Sequence, residues 1–269
     1  MLLCMNIEGS QAVLLGIIQG LSEFLPISSS GHLVLAPWLF GFSDPGLAFD
    51  VALHMGTLVA VVLFFWRDWL NVFHIRRDMP EYSLRNPHML LLLVVATIPG
   101  ILAGVILEKE AETIFRHPLI VASTLVVFGG LLFFADRFGR QHRSFGTLSM
   151  RDALVIGCSQ ALAIVPGVSR SGITITAALF RGLDRVSAAR FSFLLSTPII
   201  FGAAVSHTSD FVAIGWNPVF FAGIVSSAAS GYLAIAGLLR FVGRVSYRVF
   251  FWYRLGLSLL ITVFFFSAV

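Results

Sequence analysis

Pro26-Ile27-Ser28-Ser29-Ser30-Gly31-His32 interrupts an apolar run, 12–42, that is too long for one helix. Proline removes a backbone donor and disfavours helix in the residue before it. The run therefore reads as two short half-helices around a polar tip. A second run, 153–180, is broken in the same way by Pro166-Gly167-Val168-Ser169-Arg170-Ser171-Gly172. The rest of the chain says what surrounds these tips. Of 269 residues, 57% are hydrophobic and 12% charged, against about 25% charged in ordinary soluble domains. The mean hydropathy is +0.90. These values exclude a soluble enzyme and a disordered protein. A nucleic-acid binder is excluded too, because the basic residues are spread over many loops and form no basic face. The apolar runs are continuous rather than alternating, so a β-barrel is excluded.

Six segments have the length and apolarity of membrane spans, namely 50–66, 88–107, 118–135, 191–208, 218–239 and 250–268. Cytoplasmic loops collect Lys and Arg. Arg67, Arg76, Arg77 and Arg85 follow the first span, and Arg137, Arg140, Arg143 and Arg151 the third. Arg181, Arg185 and Arg190 follow the second broken run, and Arg240, Arg244, Arg248 and Arg254 precede or begin the last span. All fall on one side only if each broken run enters and leaves on the same side. Lys109 and Arg116 fall on the other side, and Arg170 sits at a tip. The expected fold is an all-α polytopic membrane protein with six full spans and two re-entrant helix hairpins. The first hairpin enters from outside, the second from the cytoplasm, and both termini lie outside.

A shift of 141 residues aligns Ala12 with Ala153, Gly16 with Gly157, Gln19 with Gln160 and Leu21 with Leu162. It also aligns Ser28 with Ser169, Ser30 with Ser171 and Gly31 with Gly172. The chain is thus expected to be a single integral membrane domain, 1–269, made of repeats at about 11–135 and 152–269. Three crossings separate the hairpins, so the repeats have inverted topology. Such repeats put their site at the repeat interface near mid-membrane, where the two tips should meet.

Ionisable residues at membrane depth are functional candidates. On a helix, Gln19 and Glu23 share a face. Ser28, Ser29, Ser30 and His32 follow at its broken end. Together they offer a nucleophile, a base, and an acid or metal-ligating carboxylate. The plainer alternative is a polar kink whose hydroxyls satisfy freed backbone groups. In the second tip, Gly167, Ser169, Ser171 and Thr174 surround Arg170. Backbone N–H groups there can form an anion nest at a helix start, with Arg170 as a phosphate clamp. The alternative is a buried Arg170 paired with Glu23, which is compatible with phosphate binding. An anion-binding tip facing a Glu/Ser/His tip inside a membrane points to phosphate chemistry on a lipid.

The chain resembles the bacterial undecaprenyl pyrophosphate phosphatase family of the bacitracin-resistance type. The resemblance rests on Gln19-x-x-x-Glu23 running into Phe24-Leu25-Pro26-x-Ser28-Ser29-x-Gly31-His32, and on Pro166-Gly167-x-Ser169-Arg170-Ser171-Gly172-x-Thr174. It covers essentially the whole chain. It implies hydrolysis of undecaprenyl diphosphate to the monophosphate, which recycles the carrier lipid of peptidoglycan synthesis in the bacterial inner membrane, with the site open to the periplasm. By the resemblance Glu23 is a metal ligand or acid/base group, and Ser29 and His32 are nucleophile or general base. Whether Ser29, His32 or water attacks stays open. Gln19, Ser28, Ser30, Gly167, Ser169, Ser171 and Thr174 bind substrate, and Arg170 holds the phosphates. A divalent cation, magnesium or calcium, is implied by the resemblance alone. Gln19 stands where many members have Glu, which weakens any mechanism needing two carboxylates.

The competing reading is a secondary transporter or lipid flippase that binds an anionic head group at the same tips. A phosphatidic-acid-phosphatase type is rejected, because its first motif needs a Lys and the only lysine is Lys109. The expected partners are a polyprenyl diphosphate and membrane lipids, with no nucleic acid. Gly100-x-x-x-Gly104 and 226–231 are small-residue strips, read as internal packing before homodimer contacts. Asp50 and His54, one turn apart, are read as outer residues supporting the first tip or as plain helix-packing polars. Cys4 and Cys158 are read as small buried hydrophobes, and Gly129-Gly130 as a place of close helix approach.

Overall fold

The computed structural model describes residues 7–73, 86–208, 211 and 217–267. Cys4, His74, Arg76, Arg77, Arg85 and Trp216 lie outside the described residues. Within them the chain is helical, with no named strand. The first broken run folds as α1 (Gly9–Phe24) and α2 (Ser29–Phe40). The second folds as α8 (Met150–Ala161), a 3-10 turn at Leu162–Ile164, and α9 (Arg170–Phe180). The breaks have the expected cause. Leu25 and Val165, each preceding a proline, are extended at ψ 138° and ψ 120°.

Between and after these lie α3 (Leu47–Phe64), α4 (Trp66–Val72), α5 (Met89–Ile106), α6 (Glu108–Glu112) and α7 (Pro118–Phe138). They are followed by α10 (Arg185–Ser206), α11 (Pro218–Val242) and α12 (Arg248–Ser267). Of these, α5, α7, α10, α11 and α12 are each long and apolar enough to cross a membrane. Helices α3 and α4, bent by 75° at Phe65, meet the same length and apolarity only when taken together, which makes five or six such segments. The half-helices, at 11 to 16 residues, fall short of the roughly 20 a span needs. The chain is thus a multi-pass membrane protein. Its outer surface is apolar, with Val105 73% and Leu233 68% exposed, as lipid contact demands.

The fold departs from the sequence reading at α10 and at Cys158. Helix α10 starts six residues earlier than expected, because Asp184 caps it by accepting from the Ser187 backbone N–H at 2.8 Å. Cys158 is exposed rather than buried. It stands on the outer face of α8 beside Leu154 and Val155, also exposed.

Helix α1 packs along α11, and α8 packs along α5. Likewise α3 meets α11 while α10 meets α5, and α7 pairs with α12. The small-residue strip at 226–231 is used inside the bundle. A Cβ on Gly20 would stand 2.0 Å from Ser230 Oγ and 2.4 Å from the Ser227 carbonyl, so backbone meets backbone there.

Several loop arginines do more than mark a side. Asp152 takes Arg143 at 2.6 Å and Arg181 at 2.7 Å. Asp136 takes Arg185 at 2.6 Å, and Asp68 takes Arg190 at 2.9 Å. These pairs tie the loop before α8 and the end of α9 to the first turn of α8, and the first turns of α10 to the end of α7 and the start of α4.

Candidate active site

The two tips meet, and their backbones match. Ser28 has φ 76° and Ser169 φ 69°. Positive φ in a non-glycine residue costs about 1–3 kcal/mol and must be held by its surroundings. What holds it is a cap. Ser28 Oγ accepts from the Gly31 N–H at 3.3 Å, and Ser169 Oγ accepts from the Gly172 N–H at 3.1 Å. Each serine lies 3.3 Å from the hydroxyl two residues on, Ser30 and Ser171 respectively. Corresponding residues are 141 apart in every case. Ser28 Oγ also accepts from the Gly167 N–H across the junction at 3.0 Å, and Ser171 Oγ donates to the Leu25 carbonyl at 3.2 Å. Gly167 has φ +90°, and a Cβ there would come 2.1 Å from Thr124 Oγ1, so only glycine fits.

The side chains, unlike the backbones, are complementary. Gln19 and Glu23 do share a face, with Gln19 Nε2 donating to Glu23 Oε2 at 3.0 Å. Ser29 Oγ donates to the same oxygen at 2.5 Å. Arg170 Nη2 pairs with Glu23 Oε1 from the opposite tip. Under the 141-residue shift Glu23 corresponds to Ile164, and Ser29 to Arg170. One backbone device thus presents acid and hydroxyl from the first tip and a cation from the second. Arg170 is steadied by Nη1 donating to the Ser192 carbonyl at 3.4 Å, and Ser192 Oγ lies 2.7 Å from Thr174 Oγ1. His32 Nδ1 is 2.6 Å from the Ser28 carbonyl, which can only accept, so Nδ1 carries a proton. Its Nε2 lies 2.7 Å from the Tyr253 hydroxyl, whose ring stacks on the imidazole.

All the residues singled out in the two motifs therefore gather at one junction. Four others join them. Arg254, read from sequence as a cation at the membrane boundary, is wholly buried instead. Its Nη2 donates to the Gly167 carbonyl and to the Val168 carbonyl at 3.0 Å, while Nε and Nη1 have no partner among the described residues. Gly129 makes room for it, since a Cβ there would lie 3.3 Å from Arg254 Cδ. Tyr253, its neighbour on α12, holds His32 of the other tip. Ser192 on α10 carries Arg170. His54 Nε2 lies 3.4 Å from Glu23 Oε2, so of the two readings of His54 the structure favours support of the first tip. Asp50, one turn away, lies 3.6 Å from Arg116, which reaches Asp44 at 2.9 Å.

Among the described residues no group of three or more His, Cys, Asp or Glu side chains is placed to hold a metal ion. One pair of oxygen donors does suit a hard cation shared with a phosphate. Gln19 Oε1 is buried without a partner beside the Glu23 carboxylate. Magnesium is commonly held by one or two protein oxygens together with substrate phosphates and water.

Residues 12–260 match the family model described as bacitracin resistance protein BacA. The chain is 49% identical to an undecaprenyl-diphosphatase of Moorella thermoacetica over 255 residues, 95% of this chain and 97% of the relative. It is 50% identical to one from Desulforudis audaxviator over 253 residues, 94% and 96% of the two chains. With one from Thermodesulfovibrio yellowstonii the identity is 44% over 261 residues, 95% and 97% of the two.

Proposed function

The chain belongs to the bacitracin resistance protein BacA family, and from that premise we propose that it is a membrane-embedded phosphatase acting on undecaprenyl diphosphate. It releases inorganic phosphate and returns undecaprenyl phosphate to peptidoglycan synthesis, which accounts for the resistance in the family's name. The observation that carries this reading is the Ser29 hydroxyl 2.5 Å from Glu23 Oε2, with Arg170 on the other carboxylate oxygen. A nucleophile bonded to its base, beside a fixed cation, is the arrangement phosphoryl transfer needs.

In this mechanism the diphosphate lies between the tips. Arg170 leaves Glu23 to clamp the terminal phosphate, at the junction where α2 and α9 both begin. Glu23 takes the Ser29 proton as Ser29 Oγ bonds to the terminal phosphorus, and the bond from that phosphorus to the bridging oxygen breaks. Undecaprenyl phosphate departs with the proton that Glu23 took, which restores the carboxylate. Glu23 then deprotonates a water that attacks the phosphorus, the bond to Ser29 Oγ breaks, and Glu23 returns the proton to that oxygen as phosphate leaves. His32 lies toward the departing lipid phosphate. Gln19, Ser28, Ser30, Gly167, Ser169, Ser171 and Thr174 shape the pocket. A divalent cation, if bound, would sit on Glu23 and Gln19 Oε1 and neutralise phosphate charge, and no step above depends on it.

We further propose that repeats 11–135 and 152–269 form one membrane domain with inverted topology in the bacterial inner membrane, open to the periplasm. The reciprocal packing of α1 on α11 and α8 on α5 supports this. A cysteine at Gly46 should react with an impermeant thiol reagent from outside and one at Asp184 only from inside. The opposite labelling would overturn the two-hairpin topology.

Inverted repeats are also carrier architecture. A carrier has no need of the Ser29–Glu23 pair. Phosphate release from the lipid diphosphate by purified protein in detergent, with no gradient, is the deciding test. Binding without release would favour the carrier.

A further inference from the structure

A cavity of about 360 Å³ adjoins the first tip, between α1 and α12. Its walls are Ile18, Leu21, Leu25, Ile27, Val249 and Phe250, and its polar end is the His32–Tyr253 pair. Leu21, Val249 and Tyr253 are each more than two-fifths exposed on the apolar outside of the bundle. The groove therefore runs from the bilayer to the site.

We propose that this groove seats the isoprene units next to the diphosphate, and that Tyr253 marks the boundary between head-group pocket and tail groove. The proposal rests on the phosphatase reading and adds to it the place of the tail. Energy favours a side entry. Drawing an apolar chain into water costs roughly 0.8 kcal/mol per methylene, so a long prenyl lipid has to reach the tips without leaving the bilayer. Size sets the limit. Ligand cavities span about 300–1,000 Å³, and this one, at the small end, takes only the proximal part of a polyprenyl chain. The remainder stays in lipid. The His32 imidazole at the polar end is the continuity with the site. An occupant whose tail fills this groove has its first polar atoms beside His32 and the first tip.

Leu21→Trp and Val249→Trp fill the groove from its exposed side and leave the tip residues untouched. Leu154→Trp, on the exposed face of α8, is the control. With farnesyl diphosphate as substrate, the two groove variants should raise KM ~10-fold or more with little change in kcat. Turnover of methyl diphosphate, which has no tail, should be unchanged, as should every value for Leu154→Trp. An unchanged KM for farnesyl diphosphate in both groove variants, or equal losses on both substrates, would overturn the proposal. If the wild-type protein released no phosphate from any diphosphate, the phosphatase reading would fail separately. Binding of fluorescent farnesyl phosphate, weakened only in the groove variants, would still report on the groove.

Discussion

Glu23→Gln should lower kcat/KM on the lipid diphosphate by about a thousandfold, or about 4 kcal/mol of transition-state stabilisation. Glutamine keeps the shape and the hydrogen-bonding reach of the side chain. It cannot take a proton from Ser29 and offers Arg170 no charge. General-base contributions run from about a hundredfold to ten-thousandfold. The central part of that range is expected, because the base here also orients the nucleophile at 2.5 Å. Phosphate release measured beside a thermal melt checks it. A normal melt with a thousandfold loss is the expected result. Near wild-type release would remove Glu23 from the chemistry.

The second large effect is expected at Arg254, which touches none of the reacting groups and acts through the second tip. Two opposing terms decide its sign on stability. Removing a buried cation whose only partners are carbonyls removes a desolvation cost. It also leaves the Gly167 and Val168 carbonyls buried and unpaired, at about 1–3 kcal/mol each. For Arg254→Met these roughly cancel, so the fold should persist with a small change in melting temperature. Activity should not persist. Gly167 and Val168 fix where Arg170 stands, and a shift near 1 Å is enough to cost about a hundredfold. Arg254→Lys should fail almost as badly, since the Gly167 and Val168 carbonyls are both held by Nη2, the far end of a side chain longer than lysine's. As a positioning residue, Arg254 should lower kcat and leave KM for the lipid tail largely unchanged. An active Arg254→Met protein would mean that the tip holds itself.

Much of this site is legible in the amino-acid sequence, for a physical reason. Proline, glycine and serine runs inside apolar stretches have no other use at membrane depth than to break a helix where something must bind. Glu23 and Arg170 stand out because charge is scarce there. Their pairing follows once both tips are placed at one depth. What stays hidden lies within regular helices. Tyr253 and Ser192 sit on α12 and α10, where a mostly apolar sequence does not say which face points at the tips. Arg254 escapes notice because a neighbouring run of arginines gives it an easy reading as a boundary cation. The helix begins at Arg248, so Arg254 stands nearly two turns inside an apolar segment, and that depth is the available clue. Cys158 shows the same ambiguity in the other direction. In a membrane protein, apolar surroundings in sequence do not mean the interior.

The proposed chemistry requires Glu23 and Arg170 to act as one centre built from both tips. A double-mutant cycle measures this directly, using Glu23→Asp, Arg170→Lys and the pair, with phosphate release read below KM in detergent. Residues that work as a unit are non-additive, so the double variant should be scarcely worse than the poorer single variant. Losses that multiply, as for two independent sites, would contradict it.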